Sequence, residues 1–244
     1  MPNTLHYTPF ERLDVPRPVD RLAHIARLCQ GQVVLDLGAM DETAFVRKRG
    51  SGAWLHEEIA RTARRVIGVD VSSAVPPEGL TTAPNARIER GDILDLAAFV
   101  ARLDVVPDVV VAGELIEHLD NPLAFLSGLV GVPALAGKRL ILSTPNATAL
   151  HNVLIGLGNR ESAHQDHLCI LSYKTLTTLM SRAGYADWRI VPYRSEFAEM
   201  KLRNAGLRRT VVVAGEQVIR TAEWLFPLLS FGLVVEAVIP PKAA

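Results

Sequence analysis

Two short runs of β-branched residues, each closing on an acid, constrain this chain more than anything else in it: QVVLDLGAM from Gln32 to Met40 and RVIGVDV from Arg65 to Val71. A strand inside a parallel sheet is covered on both faces, so it reads as a nearly continuous apolar run. An acid at its end then delivers a carboxylate to the carboxyl edge of the sheet. Ligands of open α/β sheets bind beyond that edge, where strand order reverses, and a glycine after the first strand lets backbone approach them closely. Gly38 is placed for that approach and Asp70 for gripping ribose hydroxyls, so the two runs together predict a nucleoside site.

The rest of the chain keeps the same rhythm as far as residue 146. Val19, Leu22, Ile25, Ala26 and Leu28 follow helical spacing, stopped at Gly31. Val33 to Leu37 is the first strand, followed by a charged, glycine-flanked excursion from Asp41 to Gly52 and a helix through WLHEEIARTARR. Val66 to Val69 is the second strand, Ser72 to Pro84 reads as irregular, and Ala86 to Glu89 is a short third strand ending at Gly91-Asp92. A helix over Leu94 to Leu103 leads to a fourth strand, Asp108 to Ala112. Asp120 is placed to cap a helix with Pro122 in its first turn, and Lys138 to Ser143 is the fifth strand, ended by Thr144-Pro145-Asn146. Strands alternating with helices at this spacing mean a parallel sheet with helices on both faces.

Beyond residue 147 the rhythm changes. Residues 147–158 read as helical and 161–169 as a polar, histidine-bearing loop. Ser172 caps a helix that Gly184 terminates. Trp188 to Tyr193 is a sixth strand, 197–215 gives no clear pattern, 215–229 reads as a helix, and Leu233 to Ile239 closes the sheet as an antiparallel seventh strand. Residues 1–19, with four prolines, disfavour regular structure and read either as an arm or lid anchored by Tyr7 and Phe10 or as a disordered tail. Residues 20–244 then form one domain, with 147–185 and 194–230 as substrate-side or cap segments.

Composition narrows the function. Twenty-six basic residues balance 26 acidic ones, so no global field favours nucleic acid or an anionic membrane. Two cysteines, Cys29 and Cys169, outside any paired motif, suggest a reducing compartment. The N-terminus lacks a secretory pattern, and the most apolar stretch, Trp224 to Ile239, is broken by Pro227, Gly232 and Glu236 and is too short to span a bilayer. The expectation is a cytoplasmic protein without a membrane span and with no nucleic-acid partner.

The succession VVLDLGAMDE, VIGVDVS, RGDILDL, DVVVAGELIEHLDNP, LILSTPN and HQDHLCILSYKTLTTLMSRAGY resembles the class I S-adenosylmethionine-dependent methyltransferases over roughly residues 20 to 194. It is most similar to the group whose fourth segment ends in Glu-His-Leu and whose fifth strand ends in Thr-Pro-Asn. The resemblance implies a Rossmann-like, doubly wound α/β fold with a seven-stranded, mostly parallel sheet whose last strand is antiparallel. It implies S-adenosylmethionine as cofactor, with Asp36, Gly38, Ala39 and Met40 lining its methionine part. Asp70 would take the ribose hydroxyls, Val71 the adenine face, and Asp92 the adenine amino group with Ile93 over the ring. Ala112, Gly113 and Glu114 would form the floor under the sulfonium. One departure stands out: relatives carry two further glycines where this chain has Met40 and Glu42. Asp70 also follows Gly38 by more than the roughly 20 residues of the usual glycine-to-acid spacing.

Methyl transfer to oxygen or nitrogen needs alignment, exclusion of water and removal of a proton, a task suited to an imidazole. His118, just beyond the fourth strand, is the leading catalytic candidate and His167 the second. His164, His167 and Tyr173 are candidate substrate contacts, while Glu114 and Glu117 position the site or its loop. His164, Asp166, His167 and Cys169 are closely spaced, yet they match no zinc pattern, and no metal is expected. By analogy at the level of the fold, the resemblance implies methylation of a small molecule or a sugar or glycan end, on oxygen more than nitrogen. A non-catalytic binding or scaffold domain descended from such an enzyme is the alternative, argued by the missing glycines. A NAD-linked enzyme is disfavoured by the same first turn.

Overall fold

The computed structural model describes residues 10–41 and 45–242. In chain order the elements are α1 (Arg21–Leu28), β1 (Val33–Leu37), α2 (Phe45–Lys48), α3 (Leu55–Thr62), β2 (Arg65–Asp70), β3 (Leu80–Ala83), β4 (Ala86–Arg90), α4 (Leu96–Ala101), β5 (Val109–Gly113), α5 (Pro122–Val130), β6 (Arg139–Pro145), α6 (Leu150–Gly156), α7 (Tyr173–Arg182), β7 (Trp188–Tyr193), α8 (Ala198–Arg203), α9 (Gly206–Leu225) and β8 (Gly232–Val238). Single 3₁₀ turns precede α4 and follow β5.

The strands form one sheet in the order β3-β4-β2-β1-β5-β6-β8-β7. Pairings from β4 through β6 are parallel, whereas β3 joins β4, and β8 joins both β6 and β7, antiparallel. Chain order runs outward from β1 in both directions, so the carboxyl ends of β1 and β5 flank the switch point where such sheets bind ligands.

Alternation along β1 divides the core. Val33, Leu35 and Leu37 share one layer with residues of α4, α5 and α7, including Phe99, Leu126 and Met180. Val34 shares the other with Ile25 and Cys29 from the α1 segment and Ile59 and Ala60 of α3. Burying these side chains contributes about 1.5–3 kcal/mol each for the larger aliphatics. Both faces of the central strands are therefore apolar, as the unbroken runs imply.

The structure departs from the sequence expectations in several places. An eighth strand, β3, lies in the stretch read as irregular. It is a half-buried edge hairpin partner of β4 with a register shift between Thr81 and Ala83. β8 is inserted between β6 and β7 rather than closing an edge. The cap of α5 is Asn121, whose side chain accepts the Ala124 N–H at 2.9 Å, not Asp120. The helix expected over 215–229 is the 20-residue α9, beginning at Gly206, so Gly215 is interior to it. Tyr7 lies outside the described residues, and Phe10 is fully exposed at φ 55°, so it anchors nothing. The arm is instead fixed further on: Val19 bridges Tyr193, Glu11 pairs with Lys174 at 2.6 Å, and Arg17 donates to the Trp224 carbonyl with its guanidinium over that indole.

No helix among the described residues is long and apolar enough to cross a membrane.

Candidate active site

The first turn after β1 shows how a chain poor in glycine keeps this crevice. Gly38 has φ +69°, a left-handed conformation that favours glycine, and a Cβ there would lie 2.9 Å from Leu115 Cδ1, which would have to shift. Its N–H donates to the Val69 carbonyl at 2.9 Å, which ties the end of β1 to β2. Ala39 and Met40 are buried with Trp54, Val75 and Ile88. The Trp54 indole N–H donates to the Ala39 carbonyl at 3.1 Å, and Phe45 meets the Trp54 ring edge-on. Trp54, just after the charged excursion, and Phe45 within it thus clamp the turn. Glu42 lies outside the described residues.

Asp70 ends β2 beside that turn. Its Oδ2 accepts the Met40 N–H at 2.8 Å and its Oδ1 the Ser72 N–H at 2.9 Å. These bonds fix the orientation of the carboxylate at the end of β2. Val71 is 62% exposed next to it. Asp92 is exposed, bonded to the Leu94 N–H, with Ile93 half-buried beside it. Asp70, Val71, Asp92 and Ile93 therefore share one edge with Gly38. A cradle that a single Cβ would fill, next to an oriented acid and an exposed apolar side chain, fits a nucleoside ligand.

Asp36 has a different setting. Its carboxylate is buried on the α3 side and bonds His56 Nδ1 at 2.8 Å, while His56 Nε2 meets Thr82 Oγ1 at 3.0 Å. His56 escaped the sequence reading as a partner of Asp36. The signal was present, since His56, Ile59 and Ala60 sit at i, i+3 and i+4 on the buried face of α3.

β5 delivers the other wall. Ala112 is fully buried, and a Cβ on Gly113 would lie 2.3 Å from Leu55 Cδ2, so glycine lets α3 approach. Glu114 follows with φ 54°, a left-handed conformation that a non-glycine residue adopts at a cost and that clusters at functional sites. Its Oε1 accepts the Tyr193 hydroxyl at 2.8 Å, and the Arg21 guanidinium stands 3.8 Å away while bonding Ser143 Oγ at 3.2 Å. Burial pushes the Tyr193 hydroxyl well above its ordinary range, and Glu114 adds to it. For Arg21, burial works downward, but Glu114, Tyr193 and further acids outweigh it and hold the guanidinium charged.

Glu117 and His118 occupy the 3₁₀ turn after Glu114. Glu117 is completely buried, with Oε2 accepting the Thr144 hydroxyl at 3.0 Å and Oε1 unpartnered. Burial, reinforced by Glu114, pushes its carboxyl up to about 8. The Glu117 carbonyl accepts the Leu168 and Cys169 N–H groups, and this folds the histidine loop back over the turn. As a result His118 and His167 meet edge-on at 4.6 Å between ring centroids, with His164 5.7 Å from His167 and 6.2 Å from His118. Desolvation, then His118, lowers the His167 pKa. Tyr173 stands half-buried at the start of α7, its hydroxyl pushed up by burial and then by Asp14 of the arm.

Beside the loop, an open cavity of about 730 Å³ is bounded by α6 and by Asn159, Arg160, Glu161, Ala163 and Ile170. A second, of about 450 Å³, opens among Arg65, Thr81 and Arg87 at the amino ends of β2 and β4, opposite the carboxyl edge where such sheets bind ligands.

Comparison with known proteins agrees with this arrangement. A family model described as a methyltransferase domain matches residues 10–190. A probable S-adenosylmethionine-dependent methyltransferase of Mycolicibacterium smegmatis is 30% identical over 212 residues, covering 86% of this chain and 72% of the relative. Among solved structures, a SAM-dependent methyltransferase from Archaeoglobus fulgidus has TM-score 0.52 at 18% identity, covering 89% of this chain and 91% of that one. The small RNA methyltransferase HEN1 has TM-score 0.54 at 15% identity, over 92% of this chain and 25% of its own. The chain belongs to the class I S-adenosylmethionine-dependent methyltransferases. It is an enzyme of that family with S-adenosylmethionine as its cofactor. Because a small RNA methyltransferase shares the fold, the fold itself gives no argument against a nucleic-acid acceptor, and the exclusion drawn from charge has no support here.

Proposed function

We propose that this enzyme methylates a hydroxyl oxygen of a small molecule, with sugar or glycan ends as the acceptor class. The observation that carries the reading is the gathering of His118, His164 and His167 at the carboxyl edge of β5. When bound, S-adenosylmethionine supplies a methyl group already activated by its sulfonium. Gly38, Ala39 and Met40 hold its methionine part and Asp70 its ribose, with Val71 and Ile93 against the adenine and Asp92 on its amino group. Asp36 acts one step back, steadying the turn through His56. Ala112, Gly113 and Glu114 form the floor. The protein's remaining work is to align the acceptor, keep water out and take a proton from the hydroxyl. The imidazole cluster is placed to receive that proton, and Tyr173 and the arm close the acceptor side.

The test uses a methyl donor carrying ¹³C on its methyl group and a panel of monosaccharide, phenol and amine acceptors, with products read by NMR. Methyl ethers from wild type, formed at least tenfold more slowly by His118→Ala with unchanged cofactor affinity, are expected. N-methyl products alone, or an unaffected rate in the variant, would overturn the reading.

A further inference from the structure

One donor atom from each of Glu117, His118 and His167 lies within 4.8 Å of the other two. Their wiring is unusual. Glu117 Oε1 is buried without a hydrogen-bond partner, and so is His167 Nδ1. His118 Nδ1 sits 3.2 Å from the Asp166 carbonyl. A carbonyl only accepts, so Nδ1 carries the proton and Nε2 is left with a lone pair. Buried polar atoms left without a partner cost free energy, and native structures contain few. Two of them in one place, beside the free ring nitrogen of His118, fit an electron-pair acceptor bound among them.

We propose that Glu117, His118 and His167 bind a divalent first-row transition ion. Two imidazoles and a carboxylate are a donor set suited to zinc, iron or manganese, whereas magnesium and calcium prefer oxygen ligands throughout. The surrounding contacts match such a site. The Asp166 carbonyl fixes the His118 tautomer, and the Thr144 hydroxyl holds the other Glu117 oxygen, the kind of outer support that orients metal ligands. The sequence reading expected no metal and set aside the closely spaced His164, Asp166, His167 and Cys169; the set proposed here shares only His167 with that group. The fold substitutes Glu117 and His118 for Asp166 and Cys169, and His164 stays outside.

Three protein ligands leave positions open on the ion. Resting on the hydroxyl reading above, those positions take the acceptor oxygen and lower its pKa, and His164, paired with Asp166 at 3.5 Å, is the neighbouring imidazole that receives the proton. The ion site itself stands independently of the acceptor's identity.

The experiment strips the full chain with chelator, dialyses it against Zn²⁺ or Co²⁺, and counts bound metal by emission spectrometry, with Co²⁺ absorption as a spectroscopic readout. Wild type is expected to take up one ion per chain. Affinity should fall roughly tenfold or more in His118→Ala and in His167→Ala, and stay unchanged in His24→Gln, a histidine elsewhere on the fold. His118 is exposed, so its variant tests the site without threatening the core. No uptake by wild type, or equal uptake by all variants, would overturn the proposal and leave the hydroxyl reading intact. Stoichiometric uptake together with N-methyl products would uphold the site and overturn that reading.

Discussion

Replacing His56 with alanine should destabilise this protein far more than removing one histidine normally does. The ring bridges two elements, with Nδ1 2.8 Å from Asp36 Oδ2 and Nε2 3.0 Å from Thr82 Oγ1. Asp36 is 3% exposed and His56 1% exposed, so the truncation strands a buried carboxylate. Breaking a buried pair from one side costs about 3–5 kcal/mol, a large part of the roughly 5–15 kcal/mol that holds a typical domain. Urea unfolding measures the loss. His56→Asn, whose amide can stand in for Nδ1, should recover part of it. The double variant Asp36→Ala/His56→Ala should be less destabilised than the two singles added together, by about 1–3 kcal/mol. A loss under about 1 kcal/mol for His56→Ala, or strict additivity, would refute the reasoning.

Two further outcomes follow from contacts around the site. A Cβ on Gly232 would lie 2.1 Å from the Tyr193 ring, so Gly232→Ala should lower stability by about 1–3 kcal/mol. It should also loosen the Tyr193–Glu114 bond and slow methyl transfer; a thermal melt and a rate assay check both, and an unchanged melt would contradict the packing. Burial alone would raise the Glu236 carboxyl, but hydrogen bonds from Arg189 and His24 outweigh it and hold the pKa low. A depressed carboxylate pKa stabilises the fold above the unfolded value of about 4.5, and that contribution disappears as pH falls through the folded value. Glu236→Gln should therefore be less stable than wild type at pH 7, with the gap closing on acidification in pH-dependent unfolding.

Much of the fold was legible because two-sided burial leaves a direct mark. Apart from Asp36 and the polar residues at their ends, VVLDL, RVIGVD and RLILS are apolar, the pattern of strands covered on both faces. Leu80 to Ala83 left no such mark, since an edge strand is half-exposed and its bonds depend on a partner. Pairing order was equally hidden: nothing local in GLVVEAV tells it to sit between β6 and β7. At the site, Gly38, Asp70 and Asp92 stood out by position, whereas the Asp36–His56 bond joins residues 20 apart on different elements. The convergence of Glu117 with His167 depends on two backbone bonds from the histidine loop to the Glu117 carbonyl.

The account rests on the tips of β1 and β2 gripping a nucleoside through a turn clamped by Trp54. Calorimetric titration with S-adenosylhomocysteine tests it most directly. One molecule should bind per chain, with affinity lost in Asp70→Ala while the variant stays folded. Heats no larger than dilution for wild type, or equal affinity in the variant, would contradict it.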